Sequence, residues 1–360
     1  MDSHYYCILK KNKDLWDLFT RKEEYSPQFL DRLQRFPHYL SENREVLEPR
    51  VSAFLRENGM EVEYPEGKKF AVCLTHDIDA VYLSRAEIGF SAATSLVKHQ
   101  VKNALKMSSK MIRRWRPLWN FKNIMALEEK YGAKSSFYFL SLEEKDLDFN
   151  YRIQDLENEL GNIVDKGWEV GLHGGLEAYD SLDKIREEKE RLEKVLGRKV
   201  IGYRNHSLRF KVPTTWEVVS SAGFRYDATF SYQDMIGFRN GMCHPFRPFN
   251  LNTNKEIDLL EIPLNIQDGT LGETHMRLDI ERAFEVTKYL IETVEKYHGV
   301  LTILWHNNHL LDEKTSQVLL FDNGLNKKFY EKILDYSSEK NAWITSGEEI
   351  WKFWVQNKLA

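Results

Sequence analysis

The spacing of apolar residues divides the chain into a helical N-terminal part and a longer alternating part. Over residues 1–66, apolar side chains recur at helical spacing, as in Leu15, Leu18 and Phe19. Beyond them, short runs rich in Val, Ile, Phe and Tyr alternate with longer amphipathic stretches, which is typical of repeated βα units. We therefore predict a helical extension over 1–66 and an α/β unit over 67–360.

Eight short apolar runs in the second part are candidate strands. They lie at 70–74, 135–140, 169–173, 200–204, 226–229, 259–264, 300–306 and 342–345. The amphipathic stretches 182–196 and 280–297 both end at a glycine and predict helices that cover the sheet. Parallel strands with outer helices form either a closed barrel or an open doubly wound sheet. Both folds place their chemistry at the carboxyl ends of the strands.

Composition and charge exclude several classes of protein. The chain carries 51 Lys and Arg against 55 Asp and Glu, a net charge of −4, so no global field attracts nucleic acid. No apolar run approaches the ~20 residues of a membrane helix. The N-terminus lacks the pattern of a secretory signal, and we predict a cytoplasmic protein. The three cysteines form no C-x-x-C pair, so a metal would be held by His and carboxylate.

One stretch, 95–116, differs from the rest in charge. Lys98, Lys102, Lys106 and Lys110 recur every four residues opposite an apolar face. This pattern favours the solvated face of a helix, and the alternative is docking on an anionic membrane surface or a polyanionic glycan.

The first predicted strand ends in a cluster of ionisable residues, Thr75-His76-Asp77-Ile78-Asp79. In extended backbone Asp77 and Asp79 point the same way and His76 points the opposite way. Two carboxylates so close together require a metal ion or an arginine nearby. In the structural alternative, an aspartate caps the next helix. This alternative explains one of the two aspartates, but it does not explain the presence of a second aspartate and a histidine.

Three other predicted strands also end in ionisable residues. His173 precedes two glycines, Arg204 and His206 fall on one face by period two, and His306 follows 300–304. A single histidine is more often a hydrogen-bonded structural residue than a ligand. Their joint occurrence at corresponding strand ends predicts one site at one rim.

These motifs resemble those of the polysaccharide deacetylases, the NodB-homology carbohydrate esterases, in the branch whose first motif reads THDxD. The resemblance covers most of 68–310. Its motifs are THDID at 75–79, SSFYF at 135–139, EVGLHGG at 169–175, GYRNHSLRF at 202–210, LEIPLNIQDGTL at 260–271 and ILWH at 303–306.

The resemblance implies a distorted (β/α) barrel of about seven strands and a role for each motif residue. Asp77 is the implied base, and Asp79 and His173 are implied ligands of Zn²⁺ or another divalent metal. Arg204 is the implied brace of the base, and His306 is the implied general acid.

The second motif departs from the family, which usually has two histidines four residues apart. Here Glu177 stands four residues after His173. His206, which faces the same way as Arg204, is our choice for the third metal ligand, and Glu177 is the second choice.

The implied activity is hydrolysis of an acyl group, N-acetyl or N-formyl and possibly O-acetyl, from a free, nucleotide-linked or lipid-linked sugar in cell-surface polysaccharide metabolism. No G-x-S-x-G elbow occurs, which argues against a serine hydrolase. Two alternatives stay open: a metal-independent cyclic-amide hydrolase on the same fold, and a glycan-binding barrel without activity. Arg239, His244 and Arg247 either hold a charged part of the substrate or form structural salt bridges.

Overall fold

The computed structural model describes residues 3–83, 88, 89, 93, 116–272, 275–312, 315, 316, 324–357 and 359. The basic stretch predicted at 95–116 lies outside the described residues except for Arg116. Within these ranges, no helix has both the length and the apolar character needed to cross a membrane.

Parallel pairing of short buried strands builds the centre of the molecule. The strands are β1 Phe70–Ile78, β2 Ser136–Leu140, β3 Glu169–Gly174, β4 Gly202–Asn205, β5 Tyr226–Asp227, β6 Phe249–Asn250, β7 Lys255–Glu256, β8 Leu260–Glu261, β9 Leu264–Gln267, β10 Val300–Leu304 and β11 Ala342–Thr345. The main sheet runs β8-β5-β4-β3-β2-β1-β10-β9, with β11 also on β1. β6 and β7 form a separate antiparallel pair.

Amphipathic helices cover this sheet, and three more belong to the N-terminal extension. The described helices are α1 Ser3–Leu9, α2 Lys13–Thr20, α3 Arg50–Glu57, α4 Phe121–Glu129, α5 Glu157–Asp165, α6 Leu182–Leu196, α7 Thr214–Ser221, α8 Asp268–Leu271, α9 Ile280–Tyr297, α10 Lys327–Glu339 and α11 Gly347–Gln356. The predicted helices 182–196 and 280–297 are confirmed as α6 and α9. Their ends at Gly197 and His298 are in the left-handed conformation that closes a helix.

The chain itself joins the two edges of the main sheet. β8 and β9 lie at opposite ends of the strand order, yet only Ile262 and Pro263 separate them in sequence. The Ile262 amide donates to Asp227 O at 2.9 Å, and the Leu264 amide donates to Phe230 O at 3.2 Å. The predicted (β/α) barrel is therefore confirmed, and the alternative of an open doubly wound sheet is wrong.

Two details differ from the predicted strands. The single run 259–264 forms both β8 and β9, because Pro263 has no amide to continue the ladder. With β11 included, the sheet therefore has nine strands instead of about seven.

The first strand is also longer than its apolar run. β10 pairs with one edge of β1, while β11 and β2 share the other edge along Phe70–Cys73 and Thr75–Ile78 respectively. Because β2 pairs with the last residues of β1, the ladder holds His76 and Asp77 in extended backbone.

The N-terminal extension packs on the barrel through a buried ion cluster. Glu24, 5% exposed, accepts from Arg21 Nε at 2.7 Å and from Arg239 Nε at 3.0 Å. Arg21 also donates to the Arg239 carbonyl at 2.8 Å. Burial acts to raise the pKa of Glu24, but the two guanidinium groups outweigh it and hold this pKa below its ordinary value. The cluster therefore fastens the extension to the connection between β5 and β6.

The three polar residues of that connection have structural partners. Arg239 binds Glu24, Arg247 pairs with Asp258, and His244 lies 2.9 Å from Ser52 Oγ. These contacts agree with a structural role of Arg239, His244 and Arg247 and not with binding of a charged part of the substrate.

We expect Glu24→Gln to lower the free energy of unfolding by about 3–5 kcal/mol, because it leaves the buried Arg239 guanidinium without its carboxylate and removes one of the two carboxylates that pair with Arg21. Urea unfolding followed by circular dichroism measures the change. The matched control is Glu177→Gln, which breaks an exposed pair with Lys184 and should cost no more than about 1 kcal/mol. Equal effects of the two substitutions would contradict this account of the cluster.

Candidate metal centre

The predicted site residues lie together at the carboxyl ends of neighbouring parallel strands. Asp77 is in β1, His173 is in β3 and Arg204 is in β4. His206 follows β4 directly, and His306 follows β10 after Trp305. β1 pairs with β10, and β3 pairs with β4, so the ladder brings side chains distant in sequence to one rim.

Asp79, His173 and His206 form a group of three potential metal ligands. Each offers an atom that lies within 4.8 Å of the other two. His173 Nε2 is 3.1 Å from Asp79 Oδ1, and His206 Nε2 is 3.9 Å from Asp79 Oδ2. The imidazole rings of the two histidines are 5.3 Å apart at an angle of 64°. These spacings leave the three side chains facing one small volume.

Backbone contacts fix which nitrogen of His173 faces this volume. Its Nδ1 lies 3.0 Å from the Arg204 carbonyl oxygen, which only accepts hydrogen bonds. Nδ1 therefore carries a proton, and in the neutral ring Nε2 has a free lone pair directed at Asp79. A histidine held in one tautomer by a second partner is the usual arrangement of a metal ligand.

The charges around Asp79 keep it ionised. Burial acts to raise its pKa, but His206, His173 and His306 outweigh burial and hold the pKa well below its ordinary value. Burial lowers the pKa of His206, which favours its neutral, ligating form. Asp79 Oδ1 and His173 Nε2 are buried and make no hydrogen bond among the residues described. A cation would satisfy both atoms.

Asp77 lies beside this group and next to a buried arginine. Its Oδ2 is 3.6 Å from His173 Nε2, and its Oδ1 is 3.4 Å from Arg204 Nη1. Arg204 is fully buried, with its guanidinium 5.0 Å from the centre of the Tyr138 ring. The buried guanidinium orients the Asp77 carboxylate towards the three ligands.

His306 is paired with a carboxylate that the sequence analysis missed. Its Nδ1 lies 2.6 Å from Asp268 Oδ1, and its backbone amide donates to Asp268 Oδ2 at 2.7 Å. Burial opposes a charged imidazole, but Asp268 outweighs burial and raises the pKa of His306 to about 10. Burial likewise opposes a charged Asp268, yet His306 and His309 lower its pKa to about 2.

A signal for Asp268 was present in the sequence. Asp268 directly follows β9, so a further strand carries an ionisable residue at its carboxyl end. The interpretation of 259–264 as one strand ended that strand three residues too early and concealed the pattern.

His76 and Glu177, two ionisable residues considered in the sequence analysis, lie outside the candidate metal site. His76 points away from Asp77 and Asp79, with Nδ1 2.7 Å from Trp305 O and Nε2 2.7 Å from Glu128 Oε1. Glu177, the second choice for the third ligand, is exposed and pairs with Lys184.

A small cleft gives access to the site. The cleft has a volume of about 120 Å³. Besides five ionisable residues of the site, it is lined by Ser207, Leu208, Gln233, Gln267, Gly269 and Leu304. Asp77, Asp79, His173, His206 and His306 all contribute to its wall. Apolar and uncharged polar side chains therefore surround a charged floor.

Comparison with known proteins identifies the fold. No protein-family model and no curated protein matches the sequence. A structure from Mycobacterium smegmatis, described as a polysaccharide deacetylase, matches with a TM-score of 0.53 at 18% identity, over 83% of this chain and 94% of that one. An allantoinase matches with a TM-score of 0.51 at 14% identity, over 83% and 95%. The predicted resemblance is confirmed at the level of the fold, which is that of the NodB-like polysaccharide deacetylases.

We expect Asp268→Asn to lower the pKa of His306 from about 10 towards the ordinary value near 6.5, because the carboxylate that outweighs burial is lost. NMR titration of the His306 ring in metal-free protein measures this shift. Asp148→Asn is the control, since Asp148 Oδ2 lies 3.5 Å from His206 Nδ1 rather than next to His306. A His306 pKa that stays near 10 in Asp268→Asn would show that another group holds the proton.

Proposed function

We propose that this protein is a metal-dependent hydrolase that removes an acyl group from a sugar. The observation that carries the proposal is the arrangement of Asp79, His173 and His206 as a three-ligand group, with a carboxylate next to His173 and a charged imidazole next to Asp79. These two are Asp77 and His306. They supply the base and the acid that amide hydrolysis requires.

The donor set fits a divalent cation of the zinc type. One carboxylate and two imidazoles are a common set of protein ligands for catalytic zinc, and they leave a coordination position open. Asp79 Oδ1 and His173 Nε2 are buried, face each other at 3.1 Å and make no hydrogen bond to another described residue, which supports this assignment. When bound, such an ion supplies Lewis acidity: it polarises an acyl oxygen and lowers the pKa of water beside it.

Asp77 is suited to accept the proton of the attacking water. Its Oδ2 faces the ligand group, while Oδ1 faces Arg204. The buried guanidinium holds the carboxylate in place, as a general base requires.

His306 is suited to protonate the departing amine. Its Nδ1 is engaged by Asp268, so Nε2 faces the site, 3.6 Å from Asp79 Oδ2. A pKa near 10 keeps the imidazole protonated through neutral and mildly alkaline pH, which a general acid requires. Asp77 thus lies next to His173 of the ligand group, and His306 lies next to Asp79.

The substrate we propose is an N-acetyl or N-formyl amino sugar of cell-surface polysaccharide metabolism, with an O-acetyl sugar as a variant. The fold match to the protein described as a polysaccharide deacetylase supports this class. The second candidate is hydrolysis of a cyclic amide, which the allantoinase match favours. The ligand group favours the metal-dependent reaction, because metal-independent chemistry leaves Asp79 and His173 without a role.

Metal analysis of the purified protein, followed by assays with and without chelator, separates the candidates. Bound zinc and chelator-sensitive release of acetate or formate from acylated amino sugars support the proposal. Hydrolysis of a cyclic amide that resists chelator would establish the second candidate. Binding of glycan with neither reaction would establish a protein without activity.

We expect Asp77→Asn to lower kcat by about 10²–10⁴ while the protein keeps its metal, because the variant loses the base but none of the three ligands. Acyl release and zinc content, measured on the same sample, test both statements. Loss of the ion in Asp77→Asn would reverse the roles assigned to the two aspartates.

We expect His173→Ala to lose both metal and activity, because it removes a ligand from a set of three. The same two measurements apply. Glu177→Gln is the control and should retain both, since Glu177 pairs with Lys184 at the surface. If His173→Ala binds zinc as tightly as the parent protein, the ligand assignment is wrong.

A further inference from the structure

His206 stands at the start of a turn with unusual backbone geometry. The next two residues, Ser207 and Leu208, have φ values of 57° and 50°. This left-handed region costs a non-glycine residue about 1–3 kcal/mol and persists only where the surroundings enforce it. The conformation matters to the site, because it sets the direction in which the preceding imidazole leaves the chain.

The N-terminal extension supplies that enforcement through two reciprocal hydrogen bonds. Arg35 of the extension donates from Nη1 to the Ser207 carbonyl at 2.8 Å. Arg209 of the barrel donates from Nε to the Leu33 carbonyl of the extension at 2.7 Å. The turn that begins at His206 is therefore held on both sides by the same segment.

Arg35 is itself rigidly held. Asp31 Oδ2 accepts from Arg35 Nε at 2.7 Å and lies 2.7 Å from Nη2. Asp31 Oδ1 also accepts from the amides of Leu33 and Arg35, so residues 31–35 form a closed loop. The Arg35 side chain is only 15% exposed. A guanidinium fixed in this way loses little entropy when it contacts Ser207.

Arg209 also connects the loop 31–35 to the segment that follows His173, the other proposed histidine ligand. Its Nη1 donates to the Leu176 carbonyl at 2.8 Å, and its guanidinium lies 4.1 Å from the centre of the Tyr179 ring. Leu176 is three residues beyond His173. One arginine thus joins the segments that follow both histidines to the extension.

We infer that Arg35 is a positioning residue of the metal centre, which holds His206 in ligating geometry through the Ser207 carbonyl. The inference rests on the proposed metal site and deepens it, since it makes residues 31–35 of the extension part of that site. Without Arg35, the strained turn relaxes and His206 loses its fixed direction. Partners that orient a ligand in this way are typically worth 10–100-fold in metal affinity.

The test is the affinity for Zn²⁺, measured by competition with a chromophoric chelator at fixed pH. Arg35→Ala should weaken binding about 10–100-fold, while Arg35→Lys, which can still donate one hydrogen bond, should recover part of the loss. The control is Arg32→Ala, which removes the same charge from an exposed position in the same loop. Thermal unfolding in excess chelator shows whether each variant folds as the parent does.

A double-mutant cycle with His206→Ala, in which Asp79 and His173 remain as ligands and the weaker binding is followed by titration to higher Zn²⁺ concentration, distinguishes positioning from a general loss of stability. If Arg35 acts through His206, Arg35→Ala has no further effect on zinc affinity once His206 is absent. An equal loss in both backgrounds, or unchanged affinity in the single variant, overturns the inference and leaves the proposed function intact. If the parent protein itself binds no zinc, both fall together.

Discussion

Two carboxylates two residues apart at the end of one buried strand are the constraint on which this site depends. Asp77 and Asp79 share the small space in front of His173, and like charges so close are unfavourable in a poorly solvated place. Positive or potentially positive groups from β3, from β4 and its following turn, and from the end of β10 offset this repulsion. They lie close to the carboxylates because parallel pairing brings the carboxyl ends of strands distant in sequence to the same rim.

The second partner of each imidazole separates the roles of three otherwise similar histidines. The Arg204 carbonyl fixes the tautomer of His173, whereas the buried carboxylate of Asp268 keeps His306 protonated. Burial lowers the pKa of His206, which remains available as a neutral ligand. In the proposed mechanism, the same side-chain type thus serves as ligand or as acid according to the group that contacts its other nitrogen and to how strongly burial opposes its charge.

The sequence predicts those parts of the site that follow from strand periodicity. The alternation in 75–79 placed His76 opposite the two aspartates, and the longer β1 explains why the extended backbone reaches them. Asp268 was missed because Pro263 divides one apolar run into two strands, so the true strand end was not recognised. The contacts of Arg35 and Arg209 could not be predicted, because their partners are main-chain carbonyls, which every residue type presents.

The extension supports the barrel near the place where the two end strands of the main sheet are not paired. β8 and β9 are not paired with each other, and we call the gap between them the seam. The connection between β5 and β6 lies against this seam, because the Gly237 amide donates to Asn265 O at 2.9 Å. Phe238 of this connection in turn donates to Val46 O of the extension at 2.6 Å. Arg239 follows directly and carries the ion pair with Glu24. The extension therefore contacts the connection beside the seam at one place and the turn that begins at His206 at another. Removal of the extension would therefore remove both sets of contacts at once, and the second set holds the turn of the proposed metal ligand His206.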